Sequence, residues 1–261
     1  MTRSTFLKST VAVAGIAGPL AEANAADAAP GSAAEFFEIR KYTLKSPEKQ
    51  AILETFLKDA AIPALNRIGV SHVGVFLPEQ PEPAPAVYVV LRHASPDSFA
   101  RSSALLSDAA LQQAGATYLD APAEDAVYER VESWLTKGIE GMPAMSIPAK
   151  GSQVYQLRIY ESHSEKAAKK KVEMFNIGEL AIFKNSGLNV VFFGETIVGP
   201  LMPNLTYMLA FSDMAAKDAA LNTFRADPEW TKLKTTPGFT DKEIVSRITN
   251  IVLVPADCSQ I

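Results

Sequence analysis

One short strand, used twice, constrains this chain more than anything else in it. The stretches are Phe37-Glu38-Ile39-Arg40-Lys41-Tyr42 and Tyr155-Gln156-Leu157-Arg158-Ile159-Tyr160. Both alternate, and both place Arg-x-Tyr on one face of the strand. Leu157 follows Ile39 by 118 residues; the same spacing carries Tyr42 to Tyr160, Phe56 to Met174, Gly69 to Gly187 and Val73 to Val191. The third strands read as spaced by 119, Tyr88 to Tyr207, and the last by 117, Arg130 to Arg247. A repeat of this length is a duplicated domain.

Each copy reads as βαββαβ. In the first, Ser46-Pro47 starts a helix that runs to about Ile68, with Pro63 expected to kink it and Gly69 past its end. His72–Leu77 and Val87–Arg92 read as strands around a Pro-rich loop, and Ser95-Pro96-Asp97 starts a further helix continued from Asp108 to about Tyr118. Val127–Leu135 closes the copy. In the second copy, Ser162-His163-Ser164-Glu165 reads as a capping box, and Asp227-Pro228-Glu229-Trp230 as an Asp-capped helix start. Lys169-Lys170-Lys171 reads as a solvated helix face, and Trp134 and Trp230 as core.

A βαββαβ unit is a ferredoxin-like, four-stranded antiparallel sheet with its helices on one face. The bare face must be covered. Two copies in one chain can cover each other, so the expected fold is α+β, two tandem ferredoxin-like repeats forming an intrachain pseudo-dimeric α+β barrel. The expected domains are 35–136 and 152–256, joined by a Gly- and Pro-containing linker, 137–151, with a tail at 257–261.

Residues 1–25 have the order of an export signal: basic Arg3 and Lys8, an apolar run from Val11 to Leu20, and small-x-small at Ala23-Asn24-Ala25. Ser4 stands where a twin-arginine signal has its second Arg. The expectation is an exported, periplasmic or secreted protein with a flexible mature start at 26–34 and no transmembrane segment after cleavage. The net charge of −4 offers no basic stripe for nucleic acid. A single cysteine, Cys258, excludes an intrachain disulfide and a cysteine-based metal site. No metal and no cofactor is expected.

The Tyr155–Tyr160 opening, Phe192-Phe193-Gly194-Glu195, Gly199-Pro200, Leu205-Thr206-Tyr207 and Asp227-Pro228-Glu229-Trp230 resemble the NIPSNAP family, in its exported bacterial two-domain form. The resemblance covers about residues 35–256 and is fuller in the second copy, since Asp108-Ala109-Ala110-Leu111 stands where the first would carry Asp-Pro-x-Trp. It implies the dimeric α+β barrel fold and assigns no activity to a named residue.

By alternation, Phe37, Ile39, Tyr155, Leu157 and Ile159 are expected to face the helices. Arg40, Tyr42, Arg158 and Tyr160 would then face into the barrel, with Arg130 and Arg247 near them. Buried guanidinium groups need partners. Glu38, Glu132 and backbone carbonyls could supply them, or an anionic or oxygenated small ligand held in the barrel could. Of the histidines, His163, at a helix start beside Ser162 and Ser164, is the best functional candidate, as a general base or, second to that, a haem ligand; His72 and His93 read as solvated or capping. Three readings follow: a small-ligand-binding protein, a cofactor-independent monooxygenase or isomerase of the type found on this barrel, or a non-catalytic interaction module. A homo-oligomer remains open under all three.

Overall fold

The computed structural model describes residues 33–261. The expected export signal and most of the flexible start lie outside the described residues. Eight strands are present: β1 (Phe36–Leu44), β2 (Gly74–Pro78), β3 (Ala86–His93), β4 (Tyr128–Gly138), β5 (Val154–Glu161), β6 (Asn189–Val198), β7 (Asn204–Phe211) and β8 (Arg247–Pro255). They close into one antiparallel barrel in the order β1-β3-β2-β8-β5-β7-β6-β4. Each half contributes a 4-1-3-2 sheet, and the halves join through β2 with β8 and β4 with β6. The two sheets therefore do more than cover each other. Their edges pair, which leaves no open edge.

The helices take their starts from local chemistry. Ser46 caps α1 (Pro47–Phe56) by accepting from the Lys49 N–H, with proline in the first turn. Five residues of π-helix, Leu57–Ala61, lead into α2 (Ile62–Arg67), and Gly69 then turns the chain at φ +87°. Ser95 caps α3 (Pro96–Ser102), and Asp108 caps α4 (Ala109–Ala114), which leads to α5 (Ala116–Leu119). In the second half α6 (Glu165–Met174), a π-turn at Phe175–Glu179 and α7 (Leu180–Asn185) repeat the first helix unit. Met214–Ala226, Pro228–Thr235 and Asp241–Ile244 form α8, α9 and α10.

The two π-turns lie 118 residues apart, like the strands. Pro63 follows the first, but Ala181 stands at that place in the second. The widened turn is thus a feature of the repeat, not the kink expected from proline. Ser164, not Ser162, caps α6, accepting from the Ala167 N–H at 3.2 Å, while Ser162 donates to the Ile244 carbonyl. No capping box forms there, because Ser162 is drawn to α10. Asp227 caps α9 as expected, accepting from Glu229 and Trp230 N–H.

Pairing registers set the equivalences. Arg40 lies opposite Val89, and Arg158 opposite Tyr207. Val89 and Tyr207 are therefore counterparts at 118 with no inserted residue, and the equivalence of Tyr88 with Tyr207 is corrected. Tyr88 points into the barrel, where it donates to Glu82 at 3.0 Å; Tyr207 points to the helices.

Three apolar clusters follow from this parity. The barrel interior is filled by Phe37, Ile39, Tyr88, Trp134, Tyr155, Leu157, Phe192, Met208 and neighbours from both halves. A second cluster lies between the first sheet and α1–α2, a third between the second sheet and its helices. The seam between β4 and β6 is especially close. A Cβ on Gly194 would collide with the side chain of Thr136, which is fully buried and donates to the Phe37 carbonyl. Gly194→Ala is expected to cost about 1–3 kcal/mol by overpacking this seam. A urea midpoint unchanged from wild type would show that the seam yields freely.

Candidate functional site

The parity reverses the expected facing. Phe37, Ile39, Leu157 and Ile159 line the barrel interior, while Arg40, Tyr42, Arg158 and Tyr160 lie on the helix side of their sheets. Both faces of each sheet are buried, one by the other sheet and one by helices. Alternation fixes which residues share a face; with both faces covered, hydrophobicity does not say which face is which. The barrel centre is packed with apolar side chains and is not the ligand chamber expected. A void of about 190 Å³ remains at one end, beside Lys41, Glu132 and Trp134.

Arg130 and Arg247 do not join the other arginines. Arg130 pairs with Thr43 and Arg247 with Glu161, both one register step off the Arg40–Tyr42 and Arg158–Tyr160 faces. Both are exposed, and Arg247 reaches the Glu161 carboxylate only at 3.9 Å. His163 is exposed ahead of α6 and has no place among the buried groups.

On the first sheet, Glu38 gathers the polar groups. Arg40 clamps it with Nε on Oε1 and Nη2 on Oε2 at 3.0 Å, Ser133 donates to Oε1 at 3.0 Å, and His93 Nε2 lies 3.3 Å from Oε2. Burial pushes this carboxyl up, but the His93, Arg40 and Ser133 contacts prevail and hold it down to about 2. Burial works against the Arg40 cation too, yet Tyr42 and Glu38 beside it raise its pKa above the usual guanidinium value. His93 is fully buried and turned against Phe99. Its place was legible in one signal: it shares the parity of Val87, Val89 and Leu91 on β3, the helix-facing set.

In front of Arg40 lies a cavity of about 350 Å³, between the first sheet and the helices that cover it. Its walls are apolar, from Phe56, Leu57, Leu65, Val89 and Leu105 among others, with Tyr42, Tyr118 and two serines at the edges. Arg40 is the one charged residue among those that line it. Small-ligand sites have this size and this mix of apolar wall and few polar groups.

The second half fills the same space. Leu57, Leu65, Val75 and Val89 are replaced at a spacing of 118 by Phe175, Phe183, Phe193 and Tyr207. These rings pack on one another, Phe193 and Tyr207 at 4.5 Å and Phe175 and Phe193 at 4.6 Å between centroids. Gln156 replaces Glu38, so Arg158 has no carboxylate two residues before it on its strand. It donates to Tyr160 at 2.7 Å and to Gln156 at 3.3 Å, and its buried Nε has no partner. The buried carboxylate on this side lies on the π-turn and serves a different cation: Glu179 pairs with Lys171 at 2.9 Å, both 1% exposed. Lys171 is thus not on a solvated face, as the Lys169–Lys171 run suggested. It stands at the position of Leu53 and points at the sheet, over the rings of Tyr160, Phe175 and Trp230.

Among the described residues, no group of three His, Cys, Asp or Glu converges as a metal site, and no helix is long and apolar enough to cross a membrane. The NIPSNAP family model matches residues 155–260. Among curated proteins, none is significantly similar in sequence. The chain is similar in structure to a candidate monooxygenase of Fusobacterium nucleatum, at 10% identity and TM-score 0.55, over 85% of this chain and 93% of that one. A candidate monooxygenase of Lactobacillus acidophilus matches at 11% identity and TM-score 0.55, over 85% and 94%. An anthrone oxidase-like protein matches at 7% identity and TM-score 0.51, over 87% and 93%. At such identities the likeness is one of fold, the dimeric α+β barrel. The second half, residues 155–260, thus matches the NIPSNAP domain, and the first half completes the barrel as a copy whose helix–sheet compartment is open.

Proposed function

We propose that this is an exported protein that binds a small, largely apolar molecule carrying one anionic or oxygenated group, in the helix–sheet cavity of its first half. The observation that supports this most is the pairing of open space with a held cation. Where the second half has four aromatic rings, the first has two leucines and two valines, and three of these, Leu57, Leu65 and Val89, line the space that fronts Arg40. Glu38 takes up two of the guanidinium N–H directions, which fixes the group in place and leaves donors for a ligand oxygen. Export is supported by the basic, apolar, small-x-small order of residues 1–25.

The monooxygenase or isomerase reading is supported by likeness of fold, which carries no chemistry on its own. The residue nominated as its base, His163, is on the surface. The buried His93–Glu38 contact is a better nucleus for such chemistry, but neither residue lines the cavity.

The test is thermal shift and calorimetry with octanoate and benzoate as probes. A carboxylate at a hundred times its dissociation constant should stabilise the protein by about 2.7 kcal/mol. Val89→Tyr, which copies the second half into the first, should abolish this effect while leaving the protein folded. Arg40→Ala should weaken binding by about 10- to 100-fold, the loss of one charge-assisted contact. Undiminished binding in Val89→Tyr would place the ligand elsewhere.

A further inference from the structure

The helix side of the cavity is not a continuous wall. Phe56 and Tyr118 stack there, with ring centroids 4.2 Å apart and planes 15° from parallel. Both rings line the inner cavity, and both also line an outer groove of about 250 Å³ between α1 and the α4–α5 segment. Phe56 and Tyr118 are thus the residues that the two spaces have in common in their linings. Neither ring is fully buried.

The outer groove carries no charged residue. Its floor is Gly115, and its rim includes Ala51, Thr55, Ala114 and Thr117. The floor is bare for a reason. A Cβ on Gly115 would sit 2.7 Å from the Phe56 ring and 2.8 Å from the Leu111 carbonyl. Gly115 has an ordinary negative φ of −95°, so no backbone conformation requires glycine there. What requires it is the room taken by the Phe56 ring and the Leu111 carbonyl.

The two compartments also differ in character. The inner one has a guanidinium at its sheet end; the outer one is lined by small and apolar groups and opens to solvent. A compact ligand would use the inner space alone. A long one with a charged end fits both in series, since aromatic χ rotations in half-buried side chains are fast on the timescale of binding.

We propose that the ligand is an extended amphiphile, with its anionic end on Arg40 and its apolar tail running between Phe56 and Tyr118 into the outer groove. This rests on the cavity reading above and adds to it the length of the ligand and its path.

Straight-chain alkanoates from hexanoate to hexadecanoate, each below its micelle concentration, test this by calorimetry on the full chain. In the wild type the dissociation constant should fall roughly fourfold per added methylene. That gain should continue past the length at which the inner 350 Å³ is full. In Gly115→Leu, which wedges the floor, and in Thr117→Trp, which fills the groove from its exposed rim, the gain should stop at that length. Short acids should bind Thr117→Trp as they bind the wild type, which also shows that this variant is folded; Gly115→Leu, whose side chain presses on Phe56 and the Leu111 carbonyl, is read for its length dependence alone. A wild-type gain that stops at the same length as in Thr117→Trp overturns the two-compartment path and leaves the cavity reading standing. Failure of every alkanoate to bind the wild type overturns both.

Discussion

Glu179→Ala will lower the free energy of unfolding by about 3–5 kcal/mol, the cost of leaving a buried ammonium without its carboxylate. Glu179 and Lys171 are each 1% exposed, 2.9 Å apart, and enclosed by aromatic rings. Burial pushes the Glu179 carboxyl up, and the Lys171 charge pulls it back only in part. Once the acid is gone, Lys171 keeps the Met174 sulfur at 3.5 Å and the faces of three rings. None of these replaces an ion pair in a dry site. The first half shows how the same place is filled without charge, with Leu53 and Ala61. The double variant Lys171→Leu/Glu179→Ala should therefore recover most of the loss, because an apolar pair of suitable shape can match a buried ion pair. Urea unfolding of the two variants checks this. A single variant within about 1 kcal/mol of wild type would mean that water reaches Lys171.

The comparison of halves also shows what the sequence could disclose. The duplication, the element order and the barrel were all legible, because each rests on spacing and on alternation. The polarity of the sheets was not. In a barrel whose sheets carry helices outside, Phe37 and Tyr42 are both buried, so composition does not say which faces the lumen. That single ambiguity moved Arg40, Tyr42, Arg158 and Tyr160 to the wrong side. It also made Arg130 and Arg247 look like their neighbours, although their registers put them on the opposite face. Lys171 was misread because it sits in a run of three lysines, of which the other two do reach solvent. The cavity itself was latent in the repeat. Laid against each other at 118, the halves show Leu, Leu, Val and Val facing Phe, Phe, Phe and Tyr, a loss of volume in one compartment that the spacing alone exposes. Reading Tyr88 as the counterpart of Tyr207 hid the last of these four pairs.

Glu38 carries the second large effect, this one in acid. Its carboxyl is held at about 2 in the folded chain against an ordinary value of 4.5. Burial opposes ionisation here; His93, Arg40 and Ser133 outweigh it. Because the folded value lies below the unfolded one, the native state favours the ionised form. The resulting stability is fully present above about pH 4.5 and is lost as pH falls toward 2. With the side chain only 4% exposed, the shift amounts to about 3 kcal/mol over that window. Glu38→Gln should be less stable than wild type at pH 6, where Arg40 lacks its counter-charge, and the difference between the two should shrink by this amount on going to pH 2. Glutamine is sterically acceptable, since Gln156 occupies the equivalent place beside Arg158. The same variant reports on binding: with the clamp gone, Arg40 is no longer fixed toward the cavity, and carboxylate affinity should fall even though a cation remains. Parallel stability curves for the two proteins between pH 6 and 2 would show that Glu38 is not held ionised by its neighbours, and with it the reason for treating Arg40 as a positioned donor would go.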